Sequence, residues 1–203
     1  NTNDKLKALS NTSQRKIKFY PKTHTYHNTI TGKDYDSSVT QSFNLNAKKE
    51  ENPSNSTSQN LMIASAIGNT VDTFCRDYFM NALKDKYPNL NAAQFAELKR
   101  GVDIFKESLD EKYGKGNYAV FTDTLYLDGI LKKDNKEISV CGSPDMLLID
   151  GEGVVHVYDF KCKAKGEIST TGFRGGPSDF EKYKYQVSMY ATMLKNKGYT
   201  CFP

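Results

Sequence analysis

Apolar residues recur at spacings of three and four in three segments of the chain, a pattern that predicts amphipathic helices. The first segment covers about 61–83. The second follows Asn91, a candidate N-cap with Gln94 three positions later, and ends at Gly114. The third covers about 179–197.

Between the second and third helices the apolar period changes to two, which is typical of strands. The pattern predicts strands at 118–128, 137–149 and 154–163, with a Gly-rich turn at 150–153 joining the last two. These three strands would form an antiparallel meander. The order helix, three strands, helix therefore indicates an α/β fold.

The N-terminal part is less regular. Aromatic and β-branched residues across 17–40 predict a β-hairpin that turns at 28–33, and residues 1–16 are interpreted as a tail. Residues 44–60 are almost entirely polar after Leu45, so we expect a mobile loop there.

Length and composition narrow the class of protein. With 203 residues we expect one domain, covering 17–203, and 37% hydrophobic residues suffice for its core. No segment approaches the ~18 consecutive apolar residues of a membrane span, and no signal peptide is recognisable, so we expect a cytoplasmic protein with no membrane partner. Because the chain begins at Asn1 rather than a methionine, we expect a processed chain or a fragment.

The net charge of +4 is too small for a polybasic protein but is compatible with local binding of an anion. Four cysteines are scattered without a CxxC pair, at Cys75, Cys141, Cys162 and Cys201. This spacing disfavours a zinc ribbon, and we expect no iron–sulfur cluster. Buried thiols are the simplest interpretation.

Candidate chemistry is concentrated in the last two predicted strands. Because side chains alternate between the faces of a strand, Asp159 and Lys161 share one face, together with Val155 and Val157. Asp145 lies on the preceding strand, and an antiparallel turn would bring it close to Asp159. Two carboxylates and an amine are then expected at one place.

Such a group suits phosphodiester hydrolysis. Two carboxylates and a carbonyl can hold Mg²⁺ or Mn²⁺, and a neighbouring ammonium can orient water and offset charge on a phosphate. The alternative is structural, with Asp145 ending a turn after Pro144 and Asp159 forming an ordinary salt bridge with Lys161.

The run from Gly142 to Asp145, followed by Asp159, Phe160 and Lys161, resembles the signature of the PD-(D/E)XK nuclease superfamily. Gln186 and Tyr190 are similar to the QxxxY motif of its RecB-like branch, which includes recombination and phage-type exonucleases. Ser38, Val39 and Thr40 resemble a short element that often precedes the catalytic helix in phage and organellar members.

The segment from Gly68 to Asp72 resembles the GxxxH motif of that helix, but with a departure. Asp72 stands where many relatives place a metal-binding histidine, and Arg76 stands where an acid is common. Asp72 is therefore a candidate oxygen ligand. The alternative is a surface acid that pairs with Arg76 at the i, i+4 spacing.

The resemblance implies a restriction-endonuclease-like core, in which helices pack on a central mixed sheet in the order helix, three-strand meander, helix, strand. It implies that Asp145 and Asp159 bind one or two Mg²⁺ or Mn²⁺ ions, with Asp72 as a further ligand and Phe160 contributing its backbone carbonyl. Lys161 would position the attacking water. Gln186 and Tyr190 would orient the site or a phosphate.

The expected function is hydrolysis of DNA, either single strands or duplex ends, by an exonuclease of recombination, repair or phage DNA processing in a bacterial or phage-infected cell. Five basic residues near the site are candidates for phosphate contacts: Lys163, Lys165, Arg174, Lys182 and Lys184. Two alternatives stay open, an endonuclease that cuts RNA with a similar site and a catalytically inactive nucleic-acid-binding module.

Overall fold

The computed structural model describes residues 1–43, 55–161 and 178–202, with the backbone alone for 55–65. Its elements are α1 (Thr2–Lys16), β1 (Ile17–Tyr20), β2 (Thr25–Asn28), β3 (Lys33–Asp34), β4 (Ser37–Ser38), α2 (Val39–Ser42), α3 (Asn55–Phe79), α4 (Ala92–Tyr113), β5 (Ala119–Phe121), β6 (Leu127–Lys133), β7 (Lys136–Gly142), β8 (Met146–Ile149), β9 (Val155–Tyr158), α5 (Asp179–Asn196) and β10 (Cys201–Phe202). The strands form three small sheets, ordered β1-β2-β3, β10-β9-β8-β5 and β4-β7-β6. The predicted α/β class is confirmed.

The structure of the N-terminal segment differs from the predicted tail. Residues 1–16 are not a tail, because α1 starts with a capping box between Asn1 and Asp4 and buries Leu6 completely in the main core. Its apolar positions are too few for the helical period to be visible in the sequence. One fully buried leucine nevertheless contributes roughly 1.5–3 kcal/mol, enough to hold a capped helix against the sheet.

The predicted N-terminal hairpin is a three-stranded meander. β1 pairs antiparallel with β2, and β2 pairs antiparallel with the short β3 across the turn predicted at 28–33. The strand prediction was wrong at Val39, which begins the short helix α2, with Ser38 as its N-cap. Ser37 and Ser38 pair with β7 and attach this segment to the rest of the molecule.

The helical predictions are largely confirmed. α3 begins at Asn55, so the expected mobile loop is wrong from that residue on, while 44–54 lie outside the described residues. α4 has the predicted Asn91 cap, and its capping box with Gln94 is formed. Aromatic and aliphatic side chains pack α3 against α4, with Phe74 fully buried between them.

The predicted three-strand meander is wrong in detail. The segment 137–149 is broken into β7 and β8, because Pro144 cannot donate a ladder hydrogen bond and lies in the interruption between them. β7 joins β6 in one sheet, whereas β8 joins β5 and β9 in another. The predicted turn at 150–153 is confirmed between β8 and β9.

The sheet β10-β9-β8-β5 is covered by helices on both faces. Leu147 and Val157 are paired partners that pack with Leu194 of α5 in the main core, which also contains Leu6 of α1. On the opposite face, Met146 and Leu148 pack with Leu109 of α4. Alternation along β8 and β9 therefore decides which side chains meet α5.

β10 follows α5 and pairs parallel with β9, whereas β8 pairs antiparallel with β9. Cys75, Cys141 and Cys201 are buried, as interpreted from the sequence, and Cys162 lies outside the described residues. Among the described helices, none is both long and apolar enough to cross a bilayer.

Candidate active site

Two carboxylates meet where β8 begins and β9 ends. In the β8–β9 ladder Met146 is opposite Tyr158, so Asp145 and Asp159 lie one position beyond that last pair, across from each other. Both project to the face that carries Leu147 and Val157, which is the face covered by α5. The structure thus brings the two predicted acids together.

Asp159 is the buried centre of the group, with only 4% of its side-chain surface exposed. Its Oδ2 forms an ion pair with the Lys161 ammonium, and its Oδ1 accepts a hydrogen bond of 2.9 Å from Nε2 of Gln186. Oδ2 accepts no hydrogen bond of normal geometry among the described residues. Lys161 is less enclosed, with 28% of its side chain exposed.

The electrostatics of Asp159 are unfavourable for its charged form. Burial raises the pKa of this carboxyl above its ordinary value, and the neighbouring charge of Asp145 raises it further, while Lys161 opposes both effects. A cation bound between the two acids would relieve the same repulsion. The space between Asp145 and Asp159 is therefore suited to a positive charge.

Asp145 has a second role as an acceptor of a backbone hydrogen bond. The backbone N–H of Phe160 donates to Asp145 Oδ2 over 2.8 Å and continues the link between the two strands beyond their ladder. The Phe160 ring points to the other face of the sheet, where it packs edge-on against Phe105 of α4. The chain between Asp159 and Lys161 is thereby fixed from both sides.

Tyr190 lies in the core, four residues beyond Gln186 on the same face of α5. Burial raises the pKa of its hydroxyl well above the ordinary value. The backbone of Gly142 approaches it so closely that a Cβ there would lie 2.6 Å from Tyr190 Oη and 2.9 Å from Val39 Cγ2. Tyr190 therefore packs closely against Gly142 at the end of β7.

Asp72 of α3 faces the same group of charges. Burial raises its pKa to about 6, with a further contribution from Asp145, against the lowering effects of Arg76 and Lys161. Among the described residues, no hydrogen bond or ion pair within 4 Å joins Asp72 to Arg76, so their charges interact only at longer range. Arg76 Nε is buried and also lacks a hydrogen-bond partner among the described residues.

Of the basic residues predicted to contact phosphates, two can be placed. Lys182 and Lys184 lie on the first turns of α5, and each lines a depression that includes Lys161. The other three, Lys163, Lys165 and Arg174, lie outside the described residues.

The residues present suit a hard cation held by few protein ligands. In the described part of the chain, no three His, Cys, Asp or Glu side chains are grouped so as to hold a metal ion. Mg²⁺ needs no such cage, because it keeps several waters and uses one or two carboxylates. Asp145 and Asp159 could hold it, together with the backbone carbonyl of Phe160, the residue after Asp159. The Asp159 oxygen that accepts no hydrogen bond among the described residues fits this donor set.

Sequence reasoning missed an aromatic contribution to the site. The Lys161 ammonium lies 5.2 Å from the centre of the Tyr183 ring, and the exposed ring of Phe180 lies one turn earlier on α5. The i, i+3 spacing from Phe180 to Tyr183 and from Tyr183 to Gln186 was the available indication. These residues were overlooked because aromatic side chains at helical spacing more often form a core.

Comparison of this chain with known protein families, with curated proteins and with solved structures gives no match. The candidate site therefore stands on its own geometry and chemistry.

Proposed function

We propose that the protein is a metal-dependent nuclease that hydrolyses DNA with Mg²⁺ or Mn²⁺ as cofactor. The observation that carries the proposal is the convergence of Asp145, Asp159, Lys161 and Gln186 from three separate segments at one corner of the sheet. Their order along the chain is that of the PD-(D/E)XK signature followed by QxxxY. An ordinary surface salt bridge would not require a nearly inaccessible carboxylate with a second carboxylate beside it.

Each side chain has a distinct task in the proposed site. A divalent cation supplies positive charge that lowers the barrier to phosphodiester hydrolysis. Asp145 and Asp159 would hold that cation, and Gln186 keeps the Asp159 carboxylate in a fixed orientation through its hydrogen bond. Lys161 is partly exposed, so its ammonium can hydrogen-bond a water or a phosphate oxygen at the surface of the site.

The fold is consistent with a restriction-endonuclease-like core, which we include in the proposal. β5, β8 and β9 give the antiparallel part of the sheet, β10 adds in parallel, and α5 connects β9 to β10. The acids lie at one end of the central strands β8 and β9, where the backbone leaves the ladder. We further propose the RecB-like exonuclease branch, on the basis of Gln186 and its contact with Asp159.

The test is a cleavage assay with the full chain on labelled oligonucleotides. Single-stranded DNA, duplex DNA and RNA, each with free and blocked ends, would be incubated with Mg²⁺, Mn²⁺, Ca²⁺ or EDTA. We expect cleavage of DNA with free ends in Mg²⁺ or Mn²⁺ and none in EDTA. Undiminished cutting in EDTA would reject the metal-dependent mechanism, and exclusive cutting of RNA would reject the proposed substrate.

A further inference from the structure

The N-terminal half of α5 presents aromatic and basic side chains together beside Lys161. Phe180 is 51% exposed, although large apolar side chains usually avoid water, and the Lys184 ammonium lies 5.5 Å from the centre of its ring. Tyr183 follows at the i+3 position with Lys161 over its ring at 5.2 Å. Each of these two rings of α5 therefore has an ammonium group over it, that of Lys184 from α5 itself and that of Lys161 from the end of β9.

This face borders an open depression of about 390 Å³ that reaches the buried carboxylate. Phe180, Tyr183, Lys184 and Val187 line it from α5, while Asp159 and Lys161 line it from the end of β9. The volume lies within the ~300–1,000 Å³ range of small-molecule sites. A group bound on Phe180 would thus lie next to the proposed reaction centre.

The aromatic side chains of Tyr185 and Phe180, both on α5, differ in the groups that pack against them. Tyr185, on the neighbouring face of α5, is engaged by Phe43 at 5.0 Å between ring centres and by a 2.9 Å hydrogen bond with the Ser42 hydroxyl. Among the described residues, Phe180 has no ring partner of this kind, and the Lys184 ammonium lies 5.5 Å from its ring centre. About half of the Phe180 side chain is exposed when the described residues are considered, which leaves room for another ring.

We propose that Phe180, with Lys184, is a stacking site for one unpaired base of a single-stranded DNA substrate whose backbone passes Lys161. The inference rests on the proposed nuclease function and adds the form of substrate that this site selects. Every base has a flat aromatic surface, so stacking is independent of sequence, and the ammonium groups match the charge of the flanking phosphates. A base within a duplex is already stacked and cannot occupy Phe180 without being unpaired.

The experiment measures binding apart from cleavage, with the full chain in EDTA. The dissociation constant would be obtained for a labelled single-stranded DNA, for the same strand in a duplex, for a strand with consecutive abasic positions and for the matching RNA. The variants are Phe180→Ala, Phe180→Trp and the matched control Phe202→Ala. Phe202 is a suitable control because it is 55% exposed and has Lys195 at 5.8 Å over its ring, but it lies on β10.

We expect Phe180→Ala to weaken binding of single-stranded DNA about tenfold, with little change for the duplex or the abasic strand. Phe180→Trp should retain binding, and Phe202→Ala should match the unchanged protein. Equal effects of Phe180→Ala on single strands, duplexes and abasic strands would overturn the proposal, as would the absence of binding to single-stranded DNA. Tighter, Phe180-dependent binding of RNA would overturn the choice of DNA.

The outcomes also separate this inference from the proposed function. Cleavage that depends on Asp159 but not on Phe180 would preserve the nuclease and remove the stacking site. Selective binding of single strands through Phe180 without cleavage under any metal condition would preserve the stacking site and remove the nuclease.

Discussion

The Gln186 amide nitrogen lies 2.9 Å from Asp159 Oδ1 and ties helix α5 to the carboxylate at the end of strand β9. Both side chains are largely shielded from water, so the hydrogen bond has no equivalent substitute from solvent. Helix and strand are 27 positions apart in sequence at this contact. The orientation of the acid is therefore set by a helix that also carries the proposed base-stacking surface.

Removing the Gln186 amide should impair catalysis more than folding. A hydrogen bond to a charged group contributes roughly 1.5–3 kcal/mol, and without it Asp159 can rotate away from the orientation that we propose for metal binding. We expect Gln186→Ala to slow cleavage at least about tenfold, with partial recovery at high Mn²⁺. Ser188→Ala, at an exposed position on the same helix, is the control and should leave the rate unchanged.

Adding a methyl group at Gly142 should destabilise the protein by about 1–3 kcal/mol, because the space is already occupied by Tyr190 and Val39. Urea unfolding of Gly142→Ala measures the loss. Combination with Tyr190→Phe, which removes the hydroxyl at 2.6 Å, should restore part of it. The control is Gly101→Ala in α4, where a Cβ meets no atom within 4 Å and a stabilisation of about 0.5–1 kcal/mol is expected. Equal changes in the free energy of unfolding for Gly142→Ala and Gly101→Ala would contradict the close packing of Tyr190 and Val39 against Gly142.

Asp128 should make stability depend on pH in the acid range. Burial opposes its ionisation, but hydrogen bonds from Lys16 at 2.6 Å and from Tyr35 at 2.9 Å hold the pKa of this carboxyl below its ordinary value. The stabilisation is therefore complete above the unfolded pKa of about 3.9 and is lost as pH falls through the lower folded value.

We expect Asp128→Asn to lower the free energy of unfolding by about 1–3 kcal/mol at pH 7, with a difference from the unchanged protein that shrinks below about pH 4. Urea unfolding across this range measures it, with the exposed Asp123→Asn as control. If the difference in unfolding free energy between the variant and the unchanged protein stays constant down to pH 2, the hydrogen bonds from Lys16 and Tyr35 do not hold Asp128 in its charged form.

Asp72→Asn should have opposite effects on stability and on activity. The Asp72 carboxylate is partly buried, faces Asp145 and has no ion-pair partner among the described residues, so its charge is a cost to the metal-free protein. In EDTA we expect the variant to be more stable by about 1 kcal/mol. If Asp72 contributes to metal binding, cleavage should slow at least about tenfold, with partial rescue at high Mn²⁺. An unchanged rate and metal dependence would leave only Asp145 and Asp159 as the catalytic acids.

The core of the site was predictable because strand alternation is a strong local rule. Asp159 and Lys161 are two residues apart, and the turn at 150–153 fixes the register that brings Asp145 across from Asp159. The contact with Gln186 required the position of α5 over that face of the sheet, which periodicity alone does not give. Only the QxxxY resemblance indicated it.

The missed elements have physical reasons as well. The β6–β7 hairpin turns at Asp134 and Asn135, both with positive φ, which these two side chains tolerate better than most. Without a glycine the turn was not recognised, and the strand prediction stopped at 128. Helix α1 was missed because its burial depends on Leu6 and on small polar residues, so that tertiary packing rather than a visible apolar stripe places it in the core.

The most direct test of the central claim is the single-turnover rate of DNA cleavage in Mg²⁺ for Asp145→Ala, Asp159→Ala and Lys161→Ala. Circular dichroism must first show that each variant is folded, because loss of Asp159 leaves the Lys161 ammonium without its partner. Lys132→Ala, on the exposed side of β6, is the control. We predict a loss of at least about a hundredfold in each of the three folded variants and none in the control. Unchanged rates in all three would contradict the assignment of this corner as the active site.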